Sequence, residues 1–359
     1  MTRPIQLNQY LRTSLSILLF FGLLTTSCTP KEPPLPTELI LYNWVDYMPQ
    51  SVMDAFANEY GVTVKVVTYE SQEEAFDNIQ AGNVYDLVVI KPEFIPELAE
   101  ENQLKAIDYR RVPNFKNVSA NFRDLAFDPG NKYTIPFHWG TTGILVRTDL
   151  VDSPVTSWSN LWNPAFAGKV GVWPIPDSLI PITLKMLGHS ANSEDPAEME
   201  EVRQALLMLK PNSIIISNTN ASVVPMLETG EIVISFGWAY DAAVAQESGQ
   251  PIEYIIPEEG TILWTDYLCI PANAANPRGA ELFLNFILQP KIAAQIVNES
   301  YYPMAVDGMD QFVIPEILHN PIIFPDNDQM QNAEIILPTH KSRKPIYDDF
   351  CASFIGGTP

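Results

Sequence analysis

From residue 38 onward the chain alternates short apolar, β-branched runs with stretches whose apolar residues recur every three or four positions, the pattern of an α/β fold. Residues 38–42 (ELILY) read as a strand, and 49–60 as a helix with proline in its first turn and Gly61 at its end. Residues 62–67 form the next predicted strand. Ser71-Gln72-Glu73-Glu74 has capping-box spacing and opens a helix running to Gly82, and 85–90 (YDLVVI) reads as a buried strand of a parallel sheet. Further on, 132–136 and 143–147 read as strands divided by a Gly-rich, aromatic turn, where the chain is expected to cross to a second domain. There 169–173, 213–216 and 232–236 read as strands, and 177–187, 196–209 and 223–228 as helices. Residues 263–270 would bring the chain back, and 277–288 and 291–299 carry helical spacing. Two crossings make both domains discontinuous, 37–141 with 265–310 in lobe 1 and 142–264 with 311–359 in lobe 2. Two α/β lobes joined by strands form a hinge, with a ligand cleft where strand C-termini from both lobes meet.

The first 27 residues break this pattern. They hold Arg3 and Arg12, no acid, and an apolar run over 15–24 (LSILLFFGLL) that is too short to span a bilayer, which reads as a secretory signal. The run ends in Thr25-Thr26-Ser27-Cys28, which resembles the lipobox of bacterial lipoproteins and implies lipidation at Cys28; threonine stands at the third position before the cysteine where that family prefers leucine. Residues 28–36 are a proline-rich tether whose extended geometry lets the folded body stand off the membrane. This places the protein in the periplasm or on the outer face of the cytoplasmic membrane.

Charge narrows the partners. The 359 residues carry a formal net charge of −22, and −24 once Arg3 and Arg12 leave with the leader, which argues against nucleic acid or anionic lipid and in favour of cations. Of the cysteines beyond Cys28, Cys269 sits in the apolar run Tyr267-Leu268-Cys269-Ile270 and reads more simply as a buried thiol than as a partner for Cys351.

No nucleophile elbow, phosphate loop, His-Glu-x-x-His or Cys-x-x-Cys is present, and His138, His189, His319 and His340 show no metal-ligand spacing, so the expectation is a protein that carries out no chemistry and needs no cofactor. A secreted hydrolase is thereby the weakest reading. The pair Tyr301-Tyr302 keeps a second alternative open, a ferric-ion binder of similar architecture, since such proteins use neighbouring tyrosines. What stands out is a repeated juxtaposition of Trp with an acid two or three residues on: Trp44 with Asp46 and Tyr47, Trp238 with Asp241, and Trp264 with Asp266. An alkylammonium needs this combination. Methylenes pack on aromatic faces, the ring quadrupole attracts the cation for about 0.5–2 kcal/mol, and a carboxylate supplies a charge-assisted hydrogen bond. Several acids in one cleft imply a ligand with more than one positive charge.

Tyr42-Asn43-Trp44, Tyr85-Asp86-Leu87-Val88-Val89, the 133–140 stretch with Ile135-Pro136 and Trp139-Gly140, Thr156-Ser157-Trp158 with Leu161-Trp162, and Ile270-Pro271-Ala272-Asn273-Ala274 together resemble the spermidine/putrescine-binding proteins of polyamine ABC importers, over nearly all of 37–350. The resemblance implies a two-lobed periplasmic-binding-protein type II clamp, each lobe a mixed sheet flanked by helices. It also implies a polyamine ligand and, as partners, a membrane permease with its ATPase. By motif it implies that Trp44, Asp46 and Tyr47 are first-lobe site residues, Trp238 and Trp264 aromatic walls, Asp266 the carboxylate that grips an amine, and Tyr302 a further contact. There are departures. Where spermidine-type members carry an Asp and a Glu, this chain has Ile175 and Ser178 with Asp177 between them, and Lys91-Pro92-Glu93 replaces a Ser-x-Tyr element. Asp241 and Asp46 match putrescine-type members, so Asp46, Asp241 and Asp266 resemble a diamine site more than a triamine one, with Glu93 and Asp177 able to restore a longer pocket.

Overall fold

The computed structural model describes residues 34–216, 222–247 and 249–339, together with Tyr347, Asp349, Phe350, Ala352 and Phe354; the leader, Cys28, most of the tether and Cys351 lie outside them. Among the described residues no helix is long and apolar enough to cross a membrane. The strands are β1 (Glu38–Asn43), β2 (Thr63–Thr68), β3 (Leu87–Ile90), β4 (Thr134–Arg147), β5 (Val170–Val172), β6 (Ser213–Ile215), β7 (Ile234–Trp238), β8 (Ile252–Ile255), β9 (Ile262–Cys269) and β10 (Glu334–Ile335). They join one sheet in the order β2-β1-β3-β9-β4-β7-β5-β6, with β10 on β9 and β8 on β4. Parallel pairs occupy the two ends, β2 and β3 against β1 and β7 and β6 against β5, while β9 and β4 run antiparallel to their neighbours in the middle.

Local chemistry accounts for the elements that flank the sheet. The helix Gln50–Tyr60 starts after Pro49 and ends at Gly61, whose φ of 68° is the left-handed conformation glycine adopts without steric strain. The helix Gln72–Gln80 is capped by Ser71, whose hydroxyl accepts the Glu74 N–H, but the Glu74 carboxylate takes the N–H of Glu70, so only half of the capping box forms. Proline occupies the first turn of the helices Pro176–Met186, Pro196–Leu209, Pro277–Ile287 and Pro290–Ser300, where its missing N–H leaves no hydrogen bond unmade.

Two apolar cores lie along the sheet. One gathers Tyr42, Tyr69, Tyr85, Val88, Ile90, Tyr267 and Cys269. The other is built around Trp158, Trp173, Leu179, Val202, Ile234 and Phe236, and Ile322, Tyr347 and Phe354 pack into it. Cys269 is buried and free, and burial pushes its thiol well above the ordinary range, so it behaves as a small hydrophobe.

One expectation is corrected. Residues 132–136 and 143–147 are not two strands split by a turn, because Thr134–Arg147 is one 14-residue strand with a bulge between Pro136 and Trp139. Its beginning pairs Thr134–Pro136 with Cys269–Tyr267, beside the first core. Beyond the bulge Trp139–Thr142 pairs with Thr265–Ile262, and Thr142–Val146 pairs with Trp238–Ile234, beside the second. The glycines serve close approach rather than a turn: a Cβ at Gly140 would lie 2.3 Å from Cζ2 of Trp264, and one at Gly143 would lie 2.6 Å from the carbonyl oxygen of Ile255. The strands β8 and β10 and the helices Ile95–Glu100 and Ala239–Glu247 also lack a counterpart in the sequence pattern.

Candidate functional site

β9 presents Trp264 and Asp266 two residues apart and therefore on one face of the sheet. Asp266 is only 5% exposed, and its Oδ2 accepts a hydrogen bond of 2.7 Å from the Tyr47 hydroxyl. Burial raises the Asp266 carboxyl above its ordinary value; Tyr47, the Lys91 ammonium and the Trp44 side chain work the other way. Tyr47 is buried too, and its ring packs edge-on against Phe137, His138 and Tyr302. Both ring nitrogens of His138 face carbonyl oxygens, Tyr47 at 3.2 Å and Pro303 at 3.4 Å, while burial holds its pKa down at about 4, so the ring is neutral at pH 7 and ties the Tyr47 loop to β4. Trp44 is half-buried and lies tilted at 4.6 Å on Tyr69, whose hydroxyl donates to the Val89 carbonyl.

A second cluster forms where β7 runs into the helix Ala239–Glu247. Asp241, 4% exposed, accepts from the Ser222 hydroxyl at 2.8 Å and, at a long 3.4 Å, from the Trp238 N–H; burial still raises its pKa above the usual carboxylate value. Trp238 leans on the buried Trp173 at 5.0 Å. Tyr302 lies between the two clusters. Its ring meets Tyr47 at 4.8 Å, Trp264 edge-on at 6.0 Å and Tyr240 nearly parallel at 5.4 Å. Burial, then the charges of Tyr240, Asp241 and Asp266, push the Tyr302 hydroxyl far up. Tyr301 is exposed and in left-handed backbone at the helix end, and among the described residues no group of three His, Cys, Asp or Glu is arranged to hold a metal ion.

A third group adjoins Asp266. Glu93 is pushed up to about 8 by burial and by the neighbouring charge of Asp177, with Lys91 pulling it down. The Lys91 Nζ lies 4.0 Å from Glu93 Oε1. Asp177 stands in the first turn of the helix Pro176–Met186, and it and Ser178 are half-buried. A cavity of about 190 Å³ that Asp177 lines with Asn192, Glu194, Ile336 and Tyr347 is not lined by Trp44, Tyr47, Trp238, Trp264 or Tyr302.

Of the residues singled out in the sequence, Tyr47, Asp266, Trp264 and Tyr302 come together, Trp44 borders them, and Trp238 with Asp241 meets them through Tyr240 and Tyr302. Glu93 and Asp177 form one acidic group with Asp266 in reach. Asp46 is exposed, at φ 54°, and stands apart from the buried acids; Ser178 contributes only a backbone bond to Ile175. Lys91, Tyr69, Tyr240 and His138 are not among the site residues that the sequence marks, Lys91 entering there only as part of the Lys91-Pro92-Glu93 departure and His138 only among histidines without metal-ligand spacing. A lysine directly after the buried run Leu87-Val88-Val89-Ile90 was a readable signal; nothing local marked Tyr69 or His138.

The family model described as bacterial extracellular solute-binding protein matches residues 51–323. The chain is 34% identical over 299 residues to the spermidine/putrescine-binding periplasmic protein of Escherichia coli, covering 82% of this chain and 85% of that one. It is 31% identical over 314 residues to the putrescine/agmatine-binding protein of Pseudomonas aeruginosa, with the same coverage. Among solved structures, the spermidine/putrescine ABC transporter substrate-binding protein PotD of Streptococcus pneumoniae superposes with a TM-score of 0.80 at 27% identity, covering 89% of this chain and 98% of that one.

Proposed function

The chain belongs to the bacterial extracellular solute-binding proteins, and from that membership we propose that it is the polyamine-capturing component of an ABC importer, holding a diamine of the putrescine type. The observation that carries this reading is the pair of buried carboxylates, Asp266 and Asp241, with the Tyr302 ring between their clusters. Burial raises both acids, and a ligand with an ammonium at each end relieves both at once. The connecting methylenes pack on Trp264, Tyr302 and Trp238, whose faces also attract the charges. The lobes, 37–141 with 265–310 and 142–264 with 311–359, close on the ligand because each contributes one acid, so the closed form makes contacts the open form lacks. No covalent bond is made or broken.

The closed clamp then docks on a membrane permease driven by its ATPase. Lipid at Cys28 holds the protein at the outer face of the cytoplasmic membrane, with the proline-rich segment as tether.

Calorimetric titration of the purified protein with putrescine, spermidine and spermine tests the reading. Replacing one partner of a buried charge pair costs about 2–5 kcal/mol, so Asp241→Asn should weaken putrescine binding by at least roughly thirtyfold. Absence of heat with every polyamine would overturn the assignment.

A further inference from the structure

Lys91 is the first residue past β3, whose last residue Ile90 pairs with Tyr267, the residue next to Asp266 on β9, and the charges of Lys91 and Asp266 act on each other. Its backbone N–H donates to Gln72 Oε1 at 3.0 Å, which fixes the strand end against the helix Gln72–Gln80. The side chain reaches Glu93 at 4.0 Å. Burial works to lower its pKa, but Glu93, then Asp177, Asp266 and Glu73, outweigh this and raise it, so the ammonium is permanent. The other end of the site differs: the groups acting on Asp241 are the neutral Ser222 hydroxyl and the Trp238 N–H.

The charges of Glu93, Asp177 and Asp266 thus act on Lys91, and the carboxylate of one of them, Glu93, lies 4.0 Å from its ammonium. Resting on the polyamine reading above, we propose that Lys91 is a specificity-determining residue, a built-in ammonium that stands where the third amine of a triamine would sit and restricts the cleft to diamines. A triamine entering this end would set its terminal ammonium against Lys91, whereas a diamine spans Asp266 and Asp241 without reaching Glu93 and Asp177. The same setting explains how Glu93, Asp177 and Asp266 are tolerated near one another in the ligand-free chain: Glu93 is pushed up to about 8, and the Lys91 ammonium 4.0 Å from it offsets the charge that remains.

The test compares calorimetric affinities for putrescine and spermidine in the wild-type protein, Lys91→Met and Lys91→Arg. Wild type should prefer putrescine, Lys91→Met should move the spermidine-to-putrescine ratio toward spermidine by roughly tenfold or more, and Lys91→Arg, which keeps the charge, should retain the wild-type preference. A preference for spermidine in wild type, or a ratio that stays within about twofold in Lys91→Met, overturns the role of Lys91 while leaving polyamine binding intact. Wild type that binds no polyamine overturns both. Should Lys91→Met fail to fold, Lys91→Gln gives the same reading, and a shift in Lys91→Arg equal to that in the uncharged variant would show packing, not charge, to be at work.

Discussion

Tyr47→Phe isolates one hydrogen bond. The substitution keeps the ring packed against Phe137, His138 and Tyr302 and removes only the hydroxyl that donates to Asp266 at 2.7 Å. Because Asp266 is 5% exposed, water does not replace the lost donor freely. A hydrogen bond to a charged group contributes about 1.5–3 kcal/mol, against about 0.5–1.5 kcal/mol for a neutral pair, so the ligand-free variant should lose the larger amount where Asp266 is ionised and the smaller where it is protonated. The sign follows from the direction of the shift. Burial raises the folded-state pKa of Asp266 and Tyr47 restrains that rise, so removing the hydroxyl raises it further and the deficit grows with pH above the carboxylate range. Guanidinium unfolding of both proteins at pH 4 and pH 8 measures this. Putrescine affinity should fall as well, since removing the Tyr47 hydroxyl takes a donor from the ionised carboxylate and moves its pKa further up, so the proton that Asp266 must release to solvent to pair with an ammonium costs more to remove. Equal loss at both pH values, or none at either, refutes the assignment of the bond to an ionised, buried Asp266.

Three further outcomes follow from Glu93 and Gly140. With its pKa at about 8, Glu93 is largely protonated at pH 7, and an ammonium paired with Asp266, whose charge acts on Glu93, favours the ionised form, so binding should release protons and tighten as pH rises through 8; identical binding heats in phosphate and Tris at pH 7 would contradict this. For the ligand-free chain the same shift has the opposite sense: Glu93 contributes stability present in full below the ordinary value of 4.5 and lost as pH rises through about 8, so the apo protein should gain stability on mild acidification. Gly140→Ala sets a methyl group 2.3 Å from the Trp264 ring, an overpacking that typically costs about 1–3 kcal/mol, and should move the Trp264 emission and weaken putrescine binding together; an unchanged spectrum with full affinity would mean Trp264 is not the wall.

The features that depend on neighbours in sequence were legible in the chain itself. Apolar periodicity placed most strands and helices, Pro49 and Gly61 bounded a helix, and the sequence marked Asp241 and Asp266 as acids close after a Trp, although Trp264 and Asp266 lie within β9 rather than at a strand end. Those signals survive because hydrophobic period, proline geometry and glycine's left-handed freedom act over a few residues whatever surrounds them. Tertiary structure decided the rest. That 134–147 is one strand depends on β9, β7 and β8 supplying partners far along the chain, and its glycines read as a turn until Trp264 and Ile255 are seen pressing on them. Tyr47 and Asp266 are 219 residues apart and meet because the sheet order β1-β3-β9 brings the segment after β1 close to β9. The setting of Lys91 among Glu93, Asp177 and Asp266 likewise follows from the β3–β9 register and the start of a distant helix. Charge and burial at a site are sums over such non-local neighbours: the residue types could be read one by one, but which acids stay buried, and which already has a cation beside it, is set by packing alone.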